Sequence, residues 1–338
     1  MEKTRYVRDP IYGLIYLPQI AWEIIDTPLF QRTRRIMQLG IAHYVYPSAT
    51  HTRFSHMIGT AHLASLVVAN LNSYISDYYK ISIILAGLLH DIGHGPLSHI
   101  YEYVHQDEPK HEDRSIEFIN YFKNEVPDIS PYVENIKCII NGTSPDPTVP
   151  YIGQIIANHK TGIDVDKLDY MLRDCFFTGV KCTVDVDRII KGMTIMNNNI
   201  VYQSKIIEDI ANVFKTRYDL HRIVYKHKVV RILVIMVSKI IKLTGFKPNT
   251  IQDWISFTDD WFYQLRNHPN EHIKKIFNDI DKRKLWKQVN ASNEYDIKYL
   301  LCIDSGYINE IPLDNYSNID LSNVLPKEHK EYIYIKEN

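Results

Sequence analysis

The segment that most restricts how this chain can fold is "LLHDIGHGPLSHIYEYVH", residues 88–105, together with the apolar run "KISIILAGLL" before it. The run has no period-two alternation and is long for a strand, so it reads as a helix buried on most sides. Gly93, Gly95 and Pro96 then stop it, and Pro96-Leu97-Ser98 is suited to opening the next helix. A buried helix must therefore end where His90 and Asp91 stand, with polar groups delivered to an internal helix terminus. Four of the chain's 15 histidines lie in this stretch, which makes ordinary packing an insufficient reason for them.

The flanking sequence is also mostly helical in pattern. Ile20, Ile24, Ile25, Leu29, Ile36 and Leu39 fit helical turns interrupted at "DTP", where Asp26 or Thr27 can cap a helix begun by Pro28. "HMIGTAHLASLVVANLNSYI" has the broad apolar face of a core helix. "MTIMNNNIVYQ" alternates around an Asn run and predicts a short hairpin. "IEDIANVFKTRYDLHRIVYKHKVVRILVIMVSKIIKL" predicts a long helical stretch, amphipathic at first and nearly all apolar later. Beyond Pro248 a helix near "HIKKIFNDIDKRKLWKQV" gives way to strand-like pieces "KYLLCI" and "YIYI". The expected fold class is mainly α: a helical core over 1–245 with a short β-hairpin, and a smaller α+β lobe over 246–338.

Charge excludes some roles. Lys and Arg number 39 against 40 acids, a net charge of −1, so extended nucleic-acid binding gains no support and only a local basic pocket remains open. The apolar stretches are too short to span a bilayer, and "MEKTRYVRDP" lacks the apolar core of a signal peptide. Cys138, Cys175, Cys182 and Cys302 form no CxxC pair. An intracellular protein, cytoplasmic or nuclear, is expected.

One imidazole and one carboxylate at a helix end can meet a single divalent cation. Two further ligands are needed, and the candidates are His56 in "HTRFSH" and Asp166 in "GIDVDKLDY". A lone His or Asp on an apolar helix is ordinarily a hydrogen-bonded core residue. The His90-Asp91 pair, followed by three more histidines within the same stretch, argues for a site instead. His94 comes one turn after His90 if the helix stays regular, and His99 lies three positions before Glu102, close enough on a helix to orient its ring. "KHEDRS", with His111 and Glu112, reads from its charge alone as a solvated loop.

These motifs resemble the H…HD…D pattern of the HD-domain metal-dependent phosphohydrolases. The match is strongest to the deoxynucleoside triphosphate triphosphohydrolases, above all the animal sterile-alpha-motif and HD-domain members. It continues through "RDPIYGLIYL", "IIDTPLFQRTRRIMQLG", "KHEDRS" and "TRYDLHRIVYKHK", from about residue 5 to about 240. The resemblance implies an HD-domain helical core in which His56, His90, Asp91 and Asp166 hold one iron, manganese or zinc ion, with magnesium on the substrate phosphates. It implies hydrolysis of a dNTP to a deoxynucleoside and inorganic triphosphate, with His99 as general acid paired to Glu102, His94 near the scissile bond, and His111 and Glu112 beside the metal site. Arg53, Lys167 and Arg217 match phosphate contacts; Gln38, Leu39, Tyr170 and Asp174 match positions that read the deoxyribose; His221 and Tyr225 lie toward the base.

The resemblance further implies a homo-oligomer, dimer or tetramer, activated by GTP and a dNTP. Arg5, Asp26, Gln31 and Arg34 match the guanine-nucleotide site, and Arg188, Lys205, His227 and Lys228 match parts of the second activator site. Arg283 matches another regulatory cation. Ile223 replaces an arginine of the family and the 246–338 lobe is truncated relative to the family, so a weakened switch or a different oligomer is expected; the match begins too near residue 1 for a preceding sterile-alpha-motif domain to be expected. Two other readings stay open: an HD phosphodiesterase or nucleotidase, and a catalytically silent relative that senses nucleotides or binds nucleic acid. The intact His90-Asp91 pair disfavours the second, and the sugar-reading and phosphate-reading positions disfavour the first.

Overall fold

The computed structural model describes residues 5–289, 299–304, 307–312 and 331–336, with side chains from 5 to 287. An N-terminal hairpin, β1 (Tyr6–Asp9) and β2 (Gly13–Tyr16), leads into α1 (Gln19–Ile25) and α2 (Pro28–Gln31). Then follow α3 (Arg53–Asn70), α4 (Asp77–Leu89), α5 (His99–Val104), α6 (His111–Glu125), α7 (Val133–Ile140), α8 (Val165–Thr178) and α9 (Val186–Lys191). A second hairpin, β3 (Met193–Met196) and β4 (Asn199–Tyr202), precedes α10 (Ile207–Leu220), α11 (Lys228–Thr244), α12 (Ile251–Ser256), α13 (Asp259–Gln264) and α14 (Glu271–Asp281). Strands β5 (Lys287–Val289), β6 (Tyr299–Asp304), β7 (Tyr307–Pro312) and β8 (Glu331–Lys336) form an antiparallel sheet of order β5-β8-β6-β7. The mainly α class with a small sheet near the C-terminus is thus observed.

Local chemistry explains most boundaries. At "DTP" the cap is Thr27, whose Oγ1 accepts from the Phe30 N–H at 3.4 Å, with Pro28 at the first helical position. The "MNNN" turn places Asn197 and Asn198 at φ of 50° and 57°, the left-handed pair that a two-residue hairpin requires. Three expectations are corrected. The helix after Pro96 starts only at His99, because Leu97 and Ser98 are left-handed, with φ of 57° and 56°. The long stretch after residue 207 is broken by a π-helical turn at His221–Tyr225, and His227 caps the new start by accepting from the Val229 N–H at 3.2 Å. "KHEDRS" is the first turn of α6, where Arg114 and Ser115 are buried on the same face as Phe118, Ile119 and Phe122, while Glu112 and Asp113 point outward. The N-terminal hairpin was not foreseen.

Two apolar clusters hold the molecule together. The larger joins α3, α4, α7 and α8, with Leu85, Leu88 and Leu89 of α4 wholly buried in it. The second joins Leu233, Met236, Ile240 and Ile241 of α11 to Phe262, Ile273 and Phe277, and also to Leu97 and Ile100. It therefore ties helices on both sides of residue 245 to the turn that follows Asp91. Cys138, Cys175 and Cys182 are free thiols, and the Cys302 side chain lies outside the described ones.

Gly59 sets the distance between α3 and α8. A Cβ there would collide with the Asp169 carboxylate and the Arg173 guanidinium, both fully buried. Gly59→Ala should therefore lower stability by about 1–3 kcal/mol, the usual cost of overpacking, read from the midpoint of urea denaturation.

Candidate metal centre and active site

Helix ends bring three widely separated segments together: His56, His90 and Asp166 offer ligand atoms within 4.8 Å of one another, and Asp91, next to His90 in sequence, adjoins both imidazoles. His56 lies one turn into α3, His90 and Asp91 follow the last turn of α4, and Asp166 sits in the first turn of α8. His56 Nε2 is 3.2 Å from His90 Nε2 and 3.1 Å from Asp166 Oδ1. His90 Nε2 is 3.4 Å from the same Asp166 oxygen, and Asp91 Oδ2 lies 3.4 and 3.5 Å from the two imidazoles. An ion with ligand bonds of about 2.0–2.2 Å holds adjacent ligand atoms roughly 3.0–3.6 Å apart, so this spacing fits a first-row divalent metal. Two imidazoles and two carboxylates also suit iron, manganese or zinc.

The outward ring nitrogens are held as such a site requires. His90 Nδ1 donates to the Gly87 carbonyl at 2.9 Å, and His56 Nδ1 donates to Asp169 Oδ2 at 2.7 Å. Asp169 in turn accepts from Arg173 at 2.9 and 3.0 Å and from the Tyr12 hydroxyl at 2.9 Å, and Arg173 reaches Asp9 at 2.8 Å. These partners point both Nε2 lone pairs inward and raise ligand basicity. Sequence reasoning missed Asp9, Tyr12, Asp169 and Arg173. The available signal was that Asp166, Asp169 and Arg173 share one helical face.

Burial opposes every charge here, yet the carboxylates stay ionised. Asp166 is pushed up by burial but held well below the usual carboxylate range by hydrogen bonds from His56 and His90. Burial likewise raises Asp91, and the charges of His90 and Arg53 overcome it. His56, lowered by burial, is raised well above its ordinary value by Asp166, Asp169 and Asp91. A proton on His56 and a divalent ion thus serve the same electrostatic need, and metal binding would displace the proton.

A second cluster adjoins the first across Asp91. Its Oδ1 lies 3.4 Å from His94 Nε2 and 3.7 Å from His111 Nε2. The His94 and His111 rings stack at 3.9 Å, and Glu102 accepts from His111 Nδ1 at 2.7 Å and from its backbone N–H at 2.9 Å. His99 Nδ1 is 3.4 Å from the other Glu102 oxygen, and Glu112 is 3.3 Å from His111. Gly93 permits this packing: its N–H donates to Ser115 at 2.9 Å, and a Cβ would run into the α6 backbone. Burial would raise Glu102, but hydrogen bonds from His111 and His99 hold it far below the carboxylate range; His111 is lowered by burial and raised more by Glu102. Burial and the charge of Arg53 keep His94 well below its ordinary value, hence neutral.

A cavity of about 260 Å³ opens onto both clusters, walled by His90, Asp91, His111, Glu112, Asp166 and Lys167, with Asn141 and His159, which sequence reasoning missed. Lys167 leans on Asp164 at 2.6 Å. Arg53 does not stand free as a phosphate contact: its guanidinium is buried on Asp91 at 2.5 Å and on Ser98 Oγ at 2.9 Å. Its Nη2 also reaches the carbonyl of Gln38, next to half-buried Leu39. Asp174 accepts from Tyr225 at 2.5 Å and meets His51 Nε2 at 2.7 Å, a buried partner not singled out from sequence. Burial and the charge of Asp166 raise Tyr170, and partial burial with Arg217 and Lys226 lowers His221.

The residues matched to activator sites form two other groups. Arg5 pairs with Asp26 at 2.5 Å, while Arg34 donates to Gln31 at 2.8 Å and covers the Phe54 ring. Arg188 pairs with Asp209 at 2.9 Å; Lys205 and Lys228 are exposed, and the His227 ring is 5.9 Å from that of Tyr46. Arg283 donates to the Tyr44 carbonyl at 3.2 Å.

Two outcomes follow. Asp169→Asn should lower affinity for Mn²⁺ or Zn²⁺ by about 10–100-fold in calorimetric titration, because His56 loses the carboxylate that orients it. The Glu102–His111 pair makes stability depend on pH. The lowered Glu102 contributes above its unfolded pKa of about 4.3, and that contribution is lost on acidification. The raised His111 contributes fully below about 6.5, and that contribution is lost as pH rises through its elevated value. The stability difference between wild type and Glu102→Gln, measured by urea denaturation of metal-free protein, should therefore be larger at pH 6 than at pH 9.

Comparison with known families agrees with this geometry. The HD domain family matches residues 53–170, and the HD associated region matches 184–308. The chain is 36% identical to an HD domain-containing protein of Acanthamoeba polyphaga mimivirus, over 86% of this chain and 74% of that protein. It is 30% identical to the deoxynucleoside triphosphate triphosphohydrolase SAMHD1 homolog of Dictyostelium discoideum, over 86% of this chain and 60% of that one. It is 31% identical to human deoxynucleoside triphosphate triphosphohydrolase SAMHD1, over 86% and 56%. The chain thus spans little more than half the length of these two triphosphohydrolases. Among the described residues no helix is long and apolar enough to cross a membrane. With His56, His90-Asp91 and Asp166 all inside the matched segment and convergent in space, the chain belongs to the HD-domain hydrolase superfamily, with an HD associated region after its HD domain.

Proposed function

We propose that this protein hydrolyses deoxynucleoside triphosphates to deoxynucleoside and inorganic triphosphate. The observation that carries the reading is the sharing of Asp91 between a metal-ligating cluster and a histidine–glutamate cluster on one cavity wall. The triphosphohydrolase relatives support the substrate class. His56, His90, Asp91 and Asp166 would hold the ion, which supplies Lewis-acid polarisation of a phosphoryl oxygen and acidification of water.

The chain's own residues divide the remaining work. Glu102 holds His99 to protonate the departing O5′ as water attacks the α-phosphorus and the bond from phosphorus to O5′ breaks. His111, on the same carboxylate, and neutral His94 line the path of the attacking water, with Glu112 beside them. Lys167 and Arg217 neutralise phosphate charge, while Arg53, committed to Asp91, holds that ligand in place and adds its field. Gln38, Leu39, Tyr170 and Asp174 read the deoxyribose, with Tyr225 and His221 toward the base. The Arg5, Asp26, Gln31 and Arg34 group takes a guanine nucleotide, and the group around Arg188, Lys205, His227 and Lys228 takes a second activator at a contact between subunits. Ile223 offers no cation there, so dependence on GTP is weak.

Metal-loaded protein incubated with each dNTP, with and without GTP, should release deoxynucleoside and triphosphate, resolved by ion-exchange chromatography. Release of pyrophosphate or monophosphate refutes the reaction, and complete silence without GTP refutes the weak switch. Asp166→Ala should bring turnover to background, because one ligand and the partner of both imidazoles are lost together.

A further inference from the structure

The turn between the two clusters is strained, and something must hold it. Leu97 and Ser98 adopt φ of 57° and 56°, and neither is glycine. Consecutive left-handed side-chain-bearing residues persist only where their surroundings over-determine them. The grip comes from far along the sequence. Asp259, at the start of α13 and 4% exposed, accepts from the Leu97 N–H through Oδ1 at 2.6 Å and from the Met37 N–H through Oδ2 at 2.8 Å. One carboxylate thus clamps two backbone segments 60 positions apart, the turn that aims His99 and the bridge residue Met37 that leads into the turn with Gln38 and Leu39. Ser98 completes the junction, donating to the Met37 carbonyl at 2.6 Å and accepting from Arg53 Nε at 2.9 Å. Arg53 then reaches Asp91.

We infer that Asp259, supplied by the HD associated region, is a positioning residue for the active site, setting the placement of His99 and of the Met37–Leu39 segment through the Leu97–Ser98 turn. The inference rests on the proposed reaction for its catalytic consequence, and on geometry alone for its structural one. Asparagine at this position keeps the size of the side chain, but its amide group turns an N–H donor toward one of the two backbone donors, so one clamp contact becomes a repulsion. Asp260 provides the control, since it is exposed, pairs with Arg35 at 3.1 Å and accepts only a long contact from Thr258 Oγ1 at 3.5 Å, none of them to Leu97 or Met37.

Wild type, Asp259→Asn and Asp260→Asn are compared as full-length, metal-loaded protein. Asp259→Asn should keep its bound metal, because the four ligands are untouched, and should lose about 100-fold in kcat for dATP with KM changed less than about threefold. Asp260→Asn should match wild type. Hydrogen exchange supplies the second measurement: in Asp259→Asn, amides of residues 36–39 and 94–101 should exchange faster while α4, α7 and α8 keep their protection. A kcat within about twofold of wild type overturns the inference, as does faster exchange spread through the whole molecule, which marks a merely structural residue. If wild type releases no deoxynucleoside, the proposed reaction fails, and the exchange pattern alone still decides whether Asp259 holds the turn.

Discussion

Asp91 is a carboxylate buried between two sets of histidines, and the interior is arranged around keeping it charged. Its Oδ2 faces His56 and His90 and pairs with Arg53, while Oδ1 faces His94 and His111. A carboxylate this deeply buried is costly unless cations and donors surround it. That requirement accounts for the arginine at the start of α3, for the helix end at His90, and for the close docking of α6 at Gly93. It also makes the site receptive to a divalent ion, because a further carboxylate, Asp166, meets both imidazoles and Asp169 holds His56 from behind.

Precision at such a site comes from what stands behind the ligands. The Asp9–Arg173–Asp169–His56 chain runs from the N-terminal hairpin through α8 to the metal point, entirely through buried side chains. The strained turn at Leu97 and Ser98 is pinned from the opposite side by α13. Arg32 adds to it, donating to the carbonyls of Ile92 and His94 at 2.7 and 2.8 Å. Rigid supports of this kind fix donor positions before a ligand arrives and reduce the reorganisation that binding would otherwise require.

The legible and illegible parts of the site differ in a physical way. His90 and Asp91 were readable because charged groups at the end of an apolar run have few structural uses, and the Asn pair of the second hairpin because left-handed turns have few acceptable residues. His111 was misplaced as a loop residue when judged by charge: the first turn of α6 is polar throughout, and only its packing against Gly93 shows that Arg114 and Ser115 face the interior. His51 and Asp259 left no local trace, since each acts on a partner more than 100 positions away. Arg53 was identifiable as a cation near the site, but its commitment to Asp91 rather than to a ligand appears only when the distances are known.

By itself the sequence determined the mainly helical class, the helix end at His90, the hairpin at Asn197 and Asn198, and the residue types able to bind a metal. These follow from apolar periodicity, from backbone preferences of glycine, proline and asparagine, and from ligand chemistry, all of which act over a few neighbouring residues. Only the tertiary structure decided that His56 and Asp166 come together with His90, with Asp91 beside both imidazoles, that Asp169 orients His56, and that a helix near residue 260 holds the turn before His99. Those facts depend on how helices dock, and docking is set by close approaches such as that at Gly59 and by buried charges that must find partners across the fold.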